Sequence, residues 1–174
     1  YILMIFITVG SQKFQFNRLL KEVDELIEQK IINEPVFAQI GVSDYIPKNY
    51  EYTDFMTQDR FNEKINDSDL VITHGGTGVI INALKRDKKV IAIPRLSKYN
   101  EHVDDHQIQL IDEFKQLNFI EPVYKISELK SALITIKDKK YDKYVSNTNE
   151  IIKNIKKFIE EWYNVKSKFA NENL

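Results

Sequence analysis

Two kinds of apolar pattern alternate along the chain. YILMIFITV at residues 1–9 is an unbroken run of mostly β-branched and aromatic residues, which predicts a strand buried on both faces. After GSQKFQF the period changes. In FNRLLKEVDELIEQK, Leu19, Leu20, Val23, Leu26 and Ile27 recur at helical spacing. PVFAQIG (35–41) predicts a second strand, EYTDF (51–55) a short extended piece and QDRFNEKIND (58–67) a short amphipathic helix. DLVIT (69–73) and KVIAIP (89–94) are further buried strands, the latter closed by Pro94, with a helix-like VIINALK between them. EHVDDHQIQLIDEFKQL (101–117) predicts a helix capped by Asn100, NFIEPV (118–123) a short strand and SELKSALITIK (127–137) another helix. From 145 to 169, Ile151, Ile152, Ile155, Phe158, Ile159, Trp162 and Val165 share one face of a long last helix.

Apolar strands separated by amphipathic helices imply an α/β fold with a doubly wound, mainly parallel sheet, because right-handed crossovers lay helices on both faces. The expected organisation is one domain over 1–174, with a core at about 4–140 and the terminal helix at about 145–169. Composition narrows the function classes. With 43% apolar residues and a formal charge of −1, the chain lacks the basic field that a nucleic-acid-binding protein presents. Without cysteine it has no disulfide framework and no thiolate chemistry. The first apolar run is far short of the ~20 residues of a membrane span, so a cytoplasmic location is expected.

The chemistry concentrates where strands give way to helices. In a doubly wound sheet, ligands bind beyond the carboxyl ends of the strands. Three loops are expected there: Gly10-Ser11-Gln12, His74-Gly75-Gly76-Thr77-Gly78, and Arg95 to Glu101. Glycines at a strand-to-helix turn admit close backbone approach, and free N–H groups with the helix dipole favour an anion such as a diphosphate. Thr77 adds a hydroxyl. His74 is either a core histidine at the strand end or part of this site. Neither G-x-x-x-x-G-K-[ST] nor G-x-G-x-x-G spacing is present, which disfavours P-loop hydrolases and ordinary dehydrogenases. No G-x-S-x-G elbow supports a serine hydrolase.

NEHVDDHQ (100–107) sets His102 and His106 four residues apart, with Asp105 and Gln109 similarly related. A zincin helix needs Glu straight after its first His, and Val103 stands there, so no metal is expected. Two readings stay open: a solvated polar helix start with Glu101 favoured by the dipole, or mixed donors and acceptors for a hydroxyl-rich ligand. KDKKYDKY (137–144) interleaves lysines with acids and reads as a solvated face.

MIFITVGSQ, ITHGGTGVIINALK and IPRLSKYNEHVDDHQIQL, in that order over most of residues 4–125, resemble bacterial capsule and exopolysaccharide glycosyltransferase subunits of the glycosyltransferase family 28 C-terminal-domain type. More distantly they resemble the catalytic subunit of the eukaryotic two-subunit transferase that adds N-acetylglucosamine to dolichol-linked sugar. The resemblance implies the donor-binding, Rossmann-like half of a GT-B transferase that uses a UDP-sugar. Gly10, Ser11 and Gln12, with the amides around Gly76 to Gly78, would hold the diphosphate. Glu101 or its neighbours would meet the ribose; Asp105, His106 and Gln107 would reach the sugar hydroxyls; the uracil would lie near Phe55 and Met56. The expected transfer is inverting, with leaving-group charge met by loop amides, a helix N-terminus and Arg95 rather than an obligatory metal. The general base would be His74, His102 or a group on a partner.

The chain's length accommodates one of the two GT-B domains, so the resemblance further implies a heterodimer with a membrane-anchored subunit that presents a lipid-linked saccharide at the inner membrane face. Among donors, galactose for a β-1,4 linkage leads, followed by glucuronic acid and N-acetylglucosamine. Two rival readings are a noncatalytic UDP-sugar-binding module of a polysaccharide complex and a non-hydrolysing sugar-nucleotide epimerase, which needs both domains in one chain.

Overall fold

Along the first strand, β1 (Ile5–Thr8), Ile5 and Ile7 turn to one side of the sheet and Phe6 to the other, and all three are buried. Ile5 and Ile7 join an apolar cluster with Leu19, Leu20, Val23 and Leu26 of α1 (Asn17–Glu28) and Leu129, Leu133 and Ile136 of α5 (Leu129–Asp138). Phe6 joins a second cluster with Ile65 of α2 (Gln58–Asp67), Ile80, Ala83 and Leu84 of α3 (Thr77–Leu84), and Ile111 and Phe114 of α4 (His106–Gln116). Helices therefore cover both faces, which is why the strands carry no polar alternation.

The remaining strands are β2 (Val36–Gln39), β3 (Glu51–Thr53), β4 (Leu70–His74), β5 (Lys89–Ile93) and β6 (Glu121–Pro122). The computed structural model describes residues 4–145 together with 157 and 158. All six strands pair in parallel in the order β3-β2-β1-β4-β5-β6. The expected doubly wound sheet is thus the observed one. The order reverses between β1 and β4, which places a crevice outside their carboxyl ends.

Contacts divide the chain into units at 1–144 and 145–174. In the second unit Lys157 and Phe158 are helical, and the rest of the helix expected over 145–169 lies outside the described residues.

Most element bounds agree with the hydrophobic pattern to within a few residues, and α2 covers QDRFNEKIND in full. The strand expected over 118–123 contracts to Glu121–Pro122. The segment 101–117 departs most: its helix starts at His106, and Asn100 adopts a left-handed backbone (φ 56°) that ends a short 3-10 turn instead of capping α4. The acidic side chains ahead of α4 bond nearby backbone N–H groups. Glu101 accepts from Leu96 at 3.0 Å, Asp105 from Ser97 at 2.7 Å and Asp104 from His106 at 3.2 Å. Such local bonds compete with helix formation and hold the stretch as a loop.

Candidate functional site

The loops after β1, β4 and β5 leave neighbouring strands at one edge, so Gly10, the Gly75–Gly78 turn and Arg95 converge. Gly10 has φ +78°, a conformation that glycine adopts without strain. A Cβ added there would lie 2.7 Å from Cε1 of His74, and one at Gly76 would lie 2.4 Å from Nε2 of the same ring. His74 is therefore a wall between the two glycine loops. Its Nδ1 lies 3.3 Å from the Thr73 hydroxyl, which itself donates to the Thr8 carbonyl at 3.0 Å.

Burial, helped by the positive charge of Arg95, pushes the His74 pKa down to about 3. The ring is neutral through the physiological range, and so weak a base is poorly matched to taking a hydroxyl proton. The general-base role considered for His74 does not suit a ring so deeply buried. A pH dependence follows. The unfolded chain takes up a proton near the ordinary histidine value while the folded chain does not until about pH 3, so stability falls as pH drops through that window. His74→Gln is expected to remove up to about 1.4 kcal/mol per pH unit of that slope. Urea unfolding at several pH values measures it.

Arg95 corrects another expectation. Its side chain is fully buried and its Nη2 donates to the carbonyls of Val9 and Phe14, on either side of the loop Gly10–Lys13. It braces that loop from behind and does not face a leaving group; its Nε and Nη1 have no protein acceptor among the described residues. Burial lowers the guanidinium pKa to about 10 against the opposing influence of Glu101, so it stays charged at neutral pH.

Glu101 is 1% exposed. One carboxylate oxygen accepts from Arg18 Nε at 2.7 Å; the other accepts from Arg18 Nη2 and the Leu96 amide, each at 3.0 Å. Both oxygens are bonded within the protein and the side chain has almost no exposed surface, so a ribose contact does not fit. Gln107, 4% exposed, uses its Oε1 to accept from Gly75 N at 3.1 Å and Arg95 N at 3.0 Å. One carboxamide thus ties the turn after β4 to the loop after β5.

His102, Asp104 and His106 form a cluster beside the first loop, with the His102 ring 5.2 Å from that of Phe14 and 4.6 Å from that of His106. Asp104 accepts a short hydrogen bond from His106 and lies 3.2 Å from Nδ1 of His102. Partial burial works against the Asp104 carboxylate, but the bond from His106 and the two imidazoles hold its pKa below the usual range. The ligand atoms of these three residues lie within 4.8 Å of one another, close enough to meet a metal ion. The expected His102–His106 helical pair is therefore a loop-and-helix-start pair bridged by Asp104.

A cavity of about 370 Å³ opens at the reversal point, lined by Thr8, Gly10, Ser11, Gln39, Met56, Gln58, Phe61, Gly78, Val79 and Asn82. It gathers Gly10, Ser11, Met56 and Gly78 from the expected set. Gln12 is exposed, Thr77 is half-buried at the first position of α3, and Phe55 is 49% exposed; none of the three lines the cavity. The sequence reading missed Gln39, Gln58, Phe61 and Asn82. Gly76 precedes α3 as its N-cap and offers no side-chain cap, so the first N–H groups of the helix remain available to an anion.

Residues 4–162 match the glycosyltransferase family 28 C-terminal domain. The chain belongs to that family. The UDP-N-acetylglucosamine transferase subunit ALG13 of Candida albicans is 28% identical over 112 residues, 64% of this chain and 36% of the relative. This family 28 domain therefore spans about a third of the length of that relative. Similar solved folds include the glycotransferase of kitacinnamycin (TM-score 0.58, 16% identity, 78% of this chain and 34% of that one). An NMR structure of ALG13 gives a TM-score of 0.57 at 22% identity, covering 83% and 90% of the two chains. MurG of Acinetobacter baumannii gives 0.56 at 17%, covering 79% and 42%. These likenesses identify a Rossmann-like fold of the kind found in GT-B glycosyltransferases. Among the described residues no helix is long and apolar enough to cross a membrane.

Proposed function

We propose that this family 28 domain is the donor-binding half of an inverting UDP-sugar glycosyltransferase. The observation that carries this reading is the cavity at the reversal point, where the loop after β1 and the uncapped N-terminus of α3 face one space. A diphosphate suits that end because it presents backbone N–H groups and the positive pole of a helix dipole. Met56 and Phe61 offer apolar contacts for a base at the same cavity. The leaving UDP would be stabilised by these amides, without an obligatory metal.

In this reading Asp105 and His106 face the donor sugar from the start of α4. The hydroxyl's proton goes to His102, oriented by Asp104, or to a group on the second half of the enzyme. That second half is a membrane-anchored subunit that brings a lipid-linked saccharide, and the complex works peripherally at the inner membrane face in capsule or exopolysaccharide synthesis. Its support is the family's resemblance to two-subunit enzymes and the word "subunit" in the name of the Candida relative. Galactose, for a β-1,4 linkage, is the donor sugar proposed from the bacterial resemblance, and N-acetylglucosamine is its competitor from the relative's name.

Calorimetric titration of the chain with UDP, ADP, GDP and NAD tests the reading, and UDP-galactose, UDP-glucuronic acid and UDP-N-acetylglucosamine then rank the sugars. Selective uridine-nucleotide binding is the expected result. Binding of NAD or ADP in place of UDP overturns it.

A further inference from the structure

The last residue of β2, Gln39, lies beside Thr8 of β1 in the parallel ladder and is 5% exposed. A directional chain of hydrogen bonds fixes its carboxamide. Gly10 N–H donates to the Thr8 hydroxyl oxygen at 3.3 Å, and that hydroxyl donates to Oε1 of Gln39 at 3.2 Å. A backbone amide can only donate and a hydroxyl carries one proton. In the structure the Thr8 proton points at Gln39, whose Oε1 receives it. The NH2 group is turned the other way.

Gln39 lines the 370 Å³ cavity, and no acceptor among the described residues receives its N–H groups. The other carboxamides of that cavity are differently placed: Gln58 Nε2 donates to Asn62 Oδ1 at 3.4 Å and Asn82 Nδ2 to the same oxygen at 3.1 Å. Gln39 is thus a rigid, nearly buried donor facing the cavity. Its NH2 opens on the cavity, where an acceptor on a ligand can take the N–H groups that no atom of the described residues receives. Gly10, to which the chain of bonds leads back, and Gly78 mark the anionic end of the cavity.

We propose that Gln39 is a further binding residue of the donor site whose side-chain NH2 hydrogen-bonds a phosphate oxygen of the bound nucleotide. This rests on the donor-half reading above. It adds a contact from β2, outside the three loops, and makes the first glycine loop and the phosphate sensor one hydrogen-bonded unit.

The test is titration of UDP into the full chain and its Gln39→Glu and Gln39→Met variants at pH 8, with thermal unfolding to establish that each is folded. The glutamate variant keeps an oxygen for Thr8 but sets a negative charge where the NH2 stood; affinity is expected to fall roughly 100-fold or more. The methionine variant removes the donor without adding charge and is expected to lose roughly 10-fold. At pH 5, protonation of the introduced carboxylate restores a donor, so the deficit of Gln39→Glu narrows relative to that of Gln39→Met, which a purely structural role would not produce. Wild-type affinity in folded Gln39→Met overturns the proposal even where Gln39→Glu fails to fold. Equal losses in the two variants overturn the phosphate assignment and move the contact to the uncharged base. A wild-type chain that ignores UDP overturns the donor-half reading and this inference with it, whereas UDP binding that survives both variants overturns the inference alone.

Discussion

Gly76→Asp is expected to abolish UDP binding, with affinity down by at least about 100-fold. Two effects act together. The new Cβ meets Nε2 of His74 at 2.4 Å, and the ring has little room to retreat because its Cε1 already closes on Gly10. The carboxylate also places negative charge at the uncapped start of α3, where a diphosphate and the helix dipole would otherwise attract each other. The steric part can be isolated. Gly76→Ala is expected to weaken binding roughly 10-fold, and His74→Ala in the same chain should recover much of it by removing the obstructing ring. A double-mutant cycle in calorimetry would read that coupling directly. Independent, additive losses would mean that His74 does not set the shape of the turn, and normal binding in Gly76→Asp would sink the diphosphate assignment.

Glu101→Ala is the substitution expected to cost the most stability, about 3 kcal/mol. It removes three hydrogen-bond acceptances at once and leaves the Leu96 amide without its acceptor. Arg18 is 16% exposed and retains the Pro94 carbonyl at 2.6 Å, so part of its charge is hydrated and the loss sits at the lower end of the range for a broken buried pair. Against a typical total of about 5–15 kcal/mol the change is large. It should appear as a lower urea midpoint with an unchanged slope. An unmoved midpoint would show that the Arg18–Glu101 pair does not hold the loop after β5. Glu101→Gln, which retains an acceptor, is expected to fall between wild type and alanine.

The sequence made the sheet legible because its strands are continuous apolar runs and its helices carry one apolar face, patterns that backbone geometry imposes locally. ITHGGTG announced its turn for the same reason: glycines at a strand end have few other uses. The exchange of partners among polar residues was not legible. Glu101 looked like a dipole-favoured helix residue, yet Arg18, 83 positions earlier, occupies it. Arg95 looked like a ligand-facing cation, yet the carbonyls of Val9 and Phe14 draw it under the first loop. Gln39 was invisible inside PVFAQIG because a glutamine at the end of a buried strand carries no periodic signal. Its meaning appears only when β1 lies beside β2 and Thr8 faces it.

The double acceptance by Gln107 has a dynamic consequence. One oxygen holds the amides of both Gly75 and Arg95, so a swing of the Gln107 side chain releases both hydrogens at once. The two sites should behave as one opening unit in amide exchange. A nucleotide that presses on the turn after β4 would then slow the exchange of an amide in the loop after β5 that it need never touch.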